Sequence, residues 1–467
     1  MNQLPQAHRV IFLAIVFQFT SQLSGEEPDG SGRADPGSFL GINCGKSGAH
    51  DEKQGIPQFF LRRNIATLNL AAELGLGWAR CGGGPEQWYE GGKPTPQNFD
   101  LVVDHANSVG IEVYLFIEYR GDINQEAITD FDWESVGRAF ATHFGNRVAC
   151  YGMLNEVDHV ASPHLPGEIA TAVEAFSTGV KSIDASYLVA SPSIGGTPMD
   201  MERADDFLRA LTPLYRSGAL DVLNLHSYHD SRPRKPHFSN IDTSSEWAPT
   251  RNFLRAKEVA GIIRPIRFAA GEFNYRNWDG SDADRASGFL TALWDQLMVV
   301  HSRESPERVG LFSIPYNIPD ARANRETTMS ERFDWEADGS FIWEPNEKGR
   351  VLRDSIKATE GAEFILCDPL EKGIAILQAD DRKIWVWHNR PAFSSIAGKT
   401  TITISGIPAD AEQLLLITHA TSIEQPAETF SLGNQSEIEL VTADLPGDQT
   451  LRFICHSTAD AKTGSID

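Results

Sequence analysis

Cysteine is scarce in this chain. Five in 467 residues are too few for a disulfide scaffold. No Cys-x-x-Cys pair and no His/Cys cluster has the spacing of a zinc site. Long runs of Lys and Arg are also missing. With a net charge of −23, the chain offers nothing to a nucleic acid, and its acidic excess reads as a solvated surface. A polyanionic substrate would need a local basic site. Past the N-terminal region no apolar run is long enough to span a bilayer. A phosphate loop is absent as well. Gly45-Lys46-Ser47 has the motif's ending, but the motif requires glycine where Leu40 stands, and Gly41 is one residue too close.

What is present begins with an N-terminal pattern. His8 and Arg9 precede an apolar run over 10–17, closed by Gln18 and followed by small residues from Ser21 to Gly25. Residues 1–25 therefore read as a secretory signal peptide, with an uncleaved anchor as the rival. Secretion or export to a periplasm follows, with no membrane attachment once the signal is cut. Residues 26–36 form a Gly/Asp/Pro/Ser linker.

From residue 37 to 357, short apolar runs alternate with amphipathic stretches. The predicted strands are 38–43, 77–81, 111–118, 149–154, 188–191, 222–226, 266–270 and 310–314. Helices are expected over 59–74, 99–108, 133–144, 168–183, 203–214 and 283–300; in 59–74 apolar residues recur every three or four positions, as a helix packed on a sheet requires. Strands apolar on both faces belong to a parallel sheet covered on both sides. Eight such units predict a (β/α)8 TIM barrel. From 358 to 458 the period changes to two. Alternating runs at 373–378, 383–388, 400–405, 413–418, 436–440 and 451–455 are separated by turn sequences, which predicts an all-β sandwich. Trp385 and Trp387 are expected to pack rather than to form an open sugar-stacking platform. Residues 459–467 read as a frayed tail.

In such a barrel, polar residues at the C-terminal ends of strands face the active site. Collected in order, they are Arg80 after strand two, Glu118-Tyr119 after strand three, and Asn155-Glu156 after strand four. His226-Ser227-Tyr228 follows strand six, and Glu272-Phe273-Asn274 follows strand seven. Two carboxylates, Glu156 and Glu272, are thus expected nearly opposite one another. Glycosidic cleavage needs such a pair: one protonates the leaving oxygen while the other attacks the anomeric carbon. Arg80 could hold one ionised while apolar surroundings keep the other protonated.

Taken together, these motifs resemble clan A of the retaining glycoside hydrolases, which includes families five and thirty-nine. The resemblance covers residues 37–357. It implies that Glu156 is the acid/base, that Asn155 binds the sugar 2-hydroxyl, and that Glu272 in Gly271-Glu272-Phe273 is the nucleophile. It further implies that Arg80 steadies Glu272 and that Tyr228 of His226-x-Tyr228 hydrogen-bonds it. The chain departs from the clan where an aromatic platform, commonly Trp, follows strand eight. Tyr316 stands there, with Trp335 and Trp343 in a later insertion. Strand three also ends in Glu118-Tyr119 rather than the His or Trp of family five.

The predicted reaction is double-displacement hydrolysis of a β-linked glycoside or polysaccharide, with a carbohydrate as partner and no metal or other cofactor. A transglycosylase of the same mechanism and a silent glycan-binding barrel are the alternatives. A metal-dependent hydrolase would want His-x-His after strand one, where Ile42-Asn43-Cys44 stands. His226, His229 and Asp230 form the one dense cluster, expected on a single loop. Two disulfides are expected, Cys44–Cys81 between adjacent strands and Cys367–Cys455 in the tail.

Overall fold

The computed structural model describes residues 36–46, 57–118, 128–158, 164–195, 201–230, 241–242, 255–264, 266–276, 280–301, 310–315, 318, 328–336, 338–368, 373–388, 401–441 and 450–456. The signal-like segment 1–25, nearly all of the linker, Tyr316 and the tail 459–467 lie outside them.

Among the described residues eight parallel strands follow one another, β1 (Gly41–Lys46), β2 (Trp78–Gly83), β3 (Glu112–Ile117), β4 (Cys150–Met153), β5 (Leu188–Val189), β6 (Val222–Asp230), β7 (Arg267–Arg276) and β8 (Gly310–Pro315), and a ninth, the two-residue Ile241–Asp242, pairs in parallel with the end of β6. Strands β1 to β5 lie side by side in chain order. In a second sheet β6 pairs with β7, and β7 with β8. Parallel bridges connect Ala190 to Val222, Ile194 to Leu225 and Leu40 to Ser313. The first two join the end of β5 to β6; the third joins the start of β1 to β8.

Between these strands run α1 (Pro57–Glu73), α2 (Asp100–Ser108), α3 (Trp133–Phe144), α4 (Pro166–Lys181), α5 (Met201–Ala210) and α6 (Asp282–His301), with α7 (Glu347–Thr359) after β8. The helix expected over 203–214 is divided, and a new one begins at Thr212. Pro213 explains the break: it has no N–H for the carbonyl four residues back, and its ring crowds that turn.

Strand alternation sorts the side chains onto two faces. Trp78, Tyr114, Phe116, Cys150, Val222, Ala269, Phe312 and Ile314 meet in one core. Ala79, Cys81, Val113, Leu115, Leu223, Leu225, Phe268 and Ala270 face the helices in another. Arg80, Asn224, His226 and Tyr228 keep step with the first set, two residues apart along their strands.

Among its described residues the tail has eight strands: β11 (Glu363–Asp368), β12 (Ile374–Gln378), β13 (Arg382–His388), β14 (Thr401–Ser405), β15 (Gln413–Ile417), β16 (Glu428–Ser431), β17 (Glu437–Val441) and β18 (Thr450–His456). A hairpin of β9 (Ser330–Trp335) and β10 (Phe341–Pro345) precedes them. Six strands form a sheet in the order β11-β12-β13-β18-β15-β16, and β14 pairs with β17. Period-two patterning gives the larger sheet two apolar faces. Ile374, Ile376, Trp385, Trp387, Leu414 and Phe453 pack with Ile402, Ile404 and Leu440 of the smaller sheet. On the other face Ala375, Leu377, Ile384, Val386, Ile417 and Ile454 belong to the same core as α6 and α7. Both tryptophans are buried.

Polar groups reinforce that junction. The buried Arg452 guanidinium donates to Ser355 Oγ of α7 at 3.2 Å and to the Thr418 carbonyl at 2.9 Å. Thr291 of α6 bonds Thr450 of β18 at 2.8 Å. No described helix is long and apolar enough to cross a membrane.

All five cysteines are free and buried, so neither expected disulfide is formed. Cys44 and Cys81 do lie in neighbouring strands, each two residues before the strand's end, and their thiols share a hydrogen bond. That bond, followed by burial, holds the Cys44 thiol well above its ordinary pKa. The second pairing fails on strand order, since β12 and β13 separate β11 from β18. At about 4.8 Å per strand, Cys367 and Cys455 are far beyond bonding reach. Burial also pushes the Cys455 thiol up to about 11. A thiol reagent should accordingly count five thiols after unfolding and none in the folded protein. Fewer than five, or a bonded pair in non-reduced peptide maps, would contradict this arrangement.

Candidate active site

The site lies at the C-terminal ends of β2, β4, β6 and β7. Its least regular element is β7. Strict alternation from inward-facing Ala269 would turn Glu272 toward the helices. A bulge prevents this: Ala270 pairs with Leu225 but Glu272 with His226, leaving Gly271 as the extra residue. The bulge re-aims Glu272 inward. Glycine is required there because a Cβ on residue 271 would lie 2.7 Å from Asn224 Oδ1 and 3.2 Å from His226 Nε2. Asn224 fixes the bulge, accepting from Gly271 N–H at 2.9 Å while donating to Tyr114 Oη at 3.1 Å.

Glu272 is buried. One carboxylate oxygen forms an ion pair with the Arg80 guanidinium, and the other accepts from Tyr228 Oη at 2.5 Å. Arg80 also donates to Asn155 Oδ1 at 2.9 Å and lies 4.6 Å over the Phe116 ring. Burial works against its charge, but Glu272, with smaller contributions from Tyr114 and Glu118, outweighs it and raises the Arg80 pKa. The guanidinium is a permanent cation in the site.

Asn155 and Glu156 follow β4 on a sharp turn. Leu154 and Glu156 have φ of 65° and 44°, a left-handed conformation that costs a residue with a side chain about 1–3 kcal/mol. Glu156 Oε1 faces His226 Nδ1 at 2.9 Å, and the same nitrogen is 3.7 Å from Glu272 Oε2. Facing two carboxylates, Nδ1 is the donor. The Nε2 atom is buried without a hydrogen-bond partner.

An oxygen of Glu156, a ring nitrogen of His226 and an oxygen of Glu272 lie within 4.8 Å of one another. They are the one group of this kind among the described residues. As a metal site the trio is compromised, because both oxygens of Glu272 are already engaged by Arg80 and Tyr228.

The structure thus brings together Arg80, Asn155, Glu156, His226, Tyr228 and Glu272. Strand β6 continues to Asp230, so His229 and Asp230 are on a strand rather than a loop; their side chains, like Tyr316 and Tyr119, lie outside the described residues. Trp335 and Trp343 pack, partly buried, against the main core. Arg63 of α1 lies 5.8 Å over the Trp335 ring, and the Trp343 indole N–H donates to Ser330 Oγ at 2.8 Å. Sequence reading took no residue from strand five, yet Ser193, just beyond it, bonds both Asn155 and Glu156. The rule that selected the other strand ends would have found it.

No family model matches the chain, and no curated protein matches its sequence. Solved structures do. A family 39 glycoside hydrolase from Bacteroides cellulosilyticus WH2 is 14% identical with a TM-score of 0.55, covering 90% of this chain and 81% of that one. A β-porphyranase of family 86 from Bacteroides plebeius is 11% identical with a TM-score of 0.53, covering 92% and 75%. A family 51 α-L-arabinofuranosidase from Bifidobacterium longum is 13% identical with a TM-score of 0.52, covering 91% and 97%. The chain therefore shares its fold with glycoside hydrolases, those of families 39, 86 and 51 among them.

Proposed function

We propose that the chain is a retaining glycoside hydrolase built on a closed (β/α)8 barrel of about residues 37–357, backed by a β-sandwich of about 358–458. The bridges at both ends of the two parallel sheets support closure. The observation that carries the function is the facing of Glu156 and Glu272. Nearest oxygens within 4.8 Å suit the retaining separation of about 5–5.5 Å, not the wider gap that leaves room for a water.

The environments divide the roles. Glu272, held by Arg80 and Tyr228, is the nucleophile. One of its oxygens bonds to the anomeric carbon as the glycosidic C–O bond breaks. Glu156, with its more open side chain, gives its proton to the leaving oxygen. The glycosyl ester is then attacked by water, whose proton passes to Glu156 as the ester bond opens and Glu272 is released. No step calls for a metal. The substrate is a β-linked glycoside or polysaccharide, met outside the cell or in a periplasm after residues 1–25 are removed.

Replacing Glu156 tests the assignment. Glu156→Ala should lose about 10²- to 10⁴-fold on glycosides with poor leaving groups, and far less on activated aryl glycosides, which need no proton. Added azide should intercept the glycosyl-enzyme and yield a glycosyl azide of retained configuration. Equal losses on both substrate types, with no azide product, would remove Glu156 from the acid/base role.

A further inference from the structure

We infer that Ser193 is a positioning residue that sets both the acid/base carboxylate and the sugar-facing amide through one buried hydroxyl; the inference rests on the hydrolase reading above. Ser193 is fully buried at the exit of β5. Its Oγ accepts from the Glu156 backbone N–H at 3.1 Å and lies 2.9 Å from Asn155 Oδ1. The hydroxyl has a single hydrogen. An amide N–H points at its lone pair, so that hydrogen goes to Asn155.

Two consequences follow from this direction. Asn155 Oδ1 receives two donors, Ser193 Oγ–H and the Arg80 guanidinium, which turns the other end of the amide, its NH₂, toward the substrate. That end can only donate, so it suits an oxygen acceptor such as a sugar hydroxyl. The Glu156 N–H, meanwhile, is secured in the left-handed conformation at φ 44°. Released from Ser193, the backbone is free to relax and swing the carboxyl away from the leaving oxygen. Ser193 is itself held by its backbone N–H, which donates to the Leu154 carbonyl at 3.3 Å, and by its neighbour Ile194, which donates to the Asn224 carbonyl at 3.2 Å. The hydroxyl therefore ties the acid/base turn to the strand pair that carries His226.

The test is a leaving-group series on wild type, Ser193→Ala and Ser193→Thr, each checked for a folded melting transition. Ser193→Ala should lower kcat by about 10- to 100-fold on aryl glycosides with poor leaving groups. The loss should shrink steadily as the leaving group improves, with KM changing little. Ser193→Thr, which keeps the hydroxyl, should recover part of the lost rate. A uniform loss across the series, or none, would overturn the inference while leaving wild-type hydrolysis intact. A wild-type protein that cleaves no glycoside, whatever residue 193 is, would instead overturn the reading of the site on which it rests.

Discussion

Glu272→Gln should abolish turnover, with kcat falling by about 10⁴-fold or more, the scale seen when a covalent nucleophile is removed. An amide oxygen in the same place is too weak a nucleophile to form the glycosyl ester. The fold should survive, because the amide oxygen still accepts from one of the two groups that hold the carboxylate, Arg80 and Tyr228. Glu272→Ala should be equally inactive but less stable. It leaves the Arg80 guanidinium buried with Asn155 Oδ1 as a remaining acceptor, and breaking one side of a buried pair costs about 3–5 kcal/mol. The difference between the two variants is informative. Equal melting temperatures would mean that the Arg80–Glu272 pair contributes little to folding. Rates within about tenfold of wild type, on a glycoside found by screening, would end the nucleophile assignment for Glu272.

A chain ending near Thr359 should not yield a soluble, active barrel. The expectation comes from the shared core, to which Ala375, Leu377, Ile384, Val386, Ile417 and Ile454 of the tail sheet belong together with Leu293, Leu297, Leu352 and Ile356 of α6 and α7. Removing the sheet turns those helix faces to water and creates a contiguous apolar patch, an aggregation liability. Ser355 loses its bond from Arg452 and Thr291 loses Thr450. Expression of the shortened chain, followed by size-exclusion chromatography and activity assay, decides the matter. A monomeric and fully active barrel would show that the tail is dispensable, and glycan binding by the isolated tail would make it a separate module.

Much of this organisation could be read from residue pattern. Apolar runs locate β1 to β8 because such strands are buried on both faces, whereas the two-residue strand Ile241–Asp242 has no such run. Period-two runs located most of the tail for the complementary reason. The two edge strands, β11 and β16, are not among those runs; the residues of β16 are mostly exposed and carry no alternation. Arg80, Asn155, Glu156, His226, Tyr228 and Glu272 could be collected because each follows an apolar run. What could not be read was how the last few residues of each strand turn. The β7 bulge reverses the face that alternation alone would give Glu272. Nothing in the local sequence marks the left-handed backbone at Leu154 and Glu156, since neither residue favours it. The proposed Cys367–Cys455 bond failed for a related reason. Strand order in the tail is set by which faces pack, and chain order does not reveal that β12 and β13 come between.

The exit of β4 places durability and activity in opposition. Leu154 and Glu156 hold a backbone shape that glycine would adopt with ease, and the chain keeps two residues with side chains there. A lineage selected for heat resistance alone would drift toward replacing Glu156 and lose the proposed proton donor as it did so. The same tension singles out position 156 as one to hold fixed in any programme that seeks a hardier form of this protein.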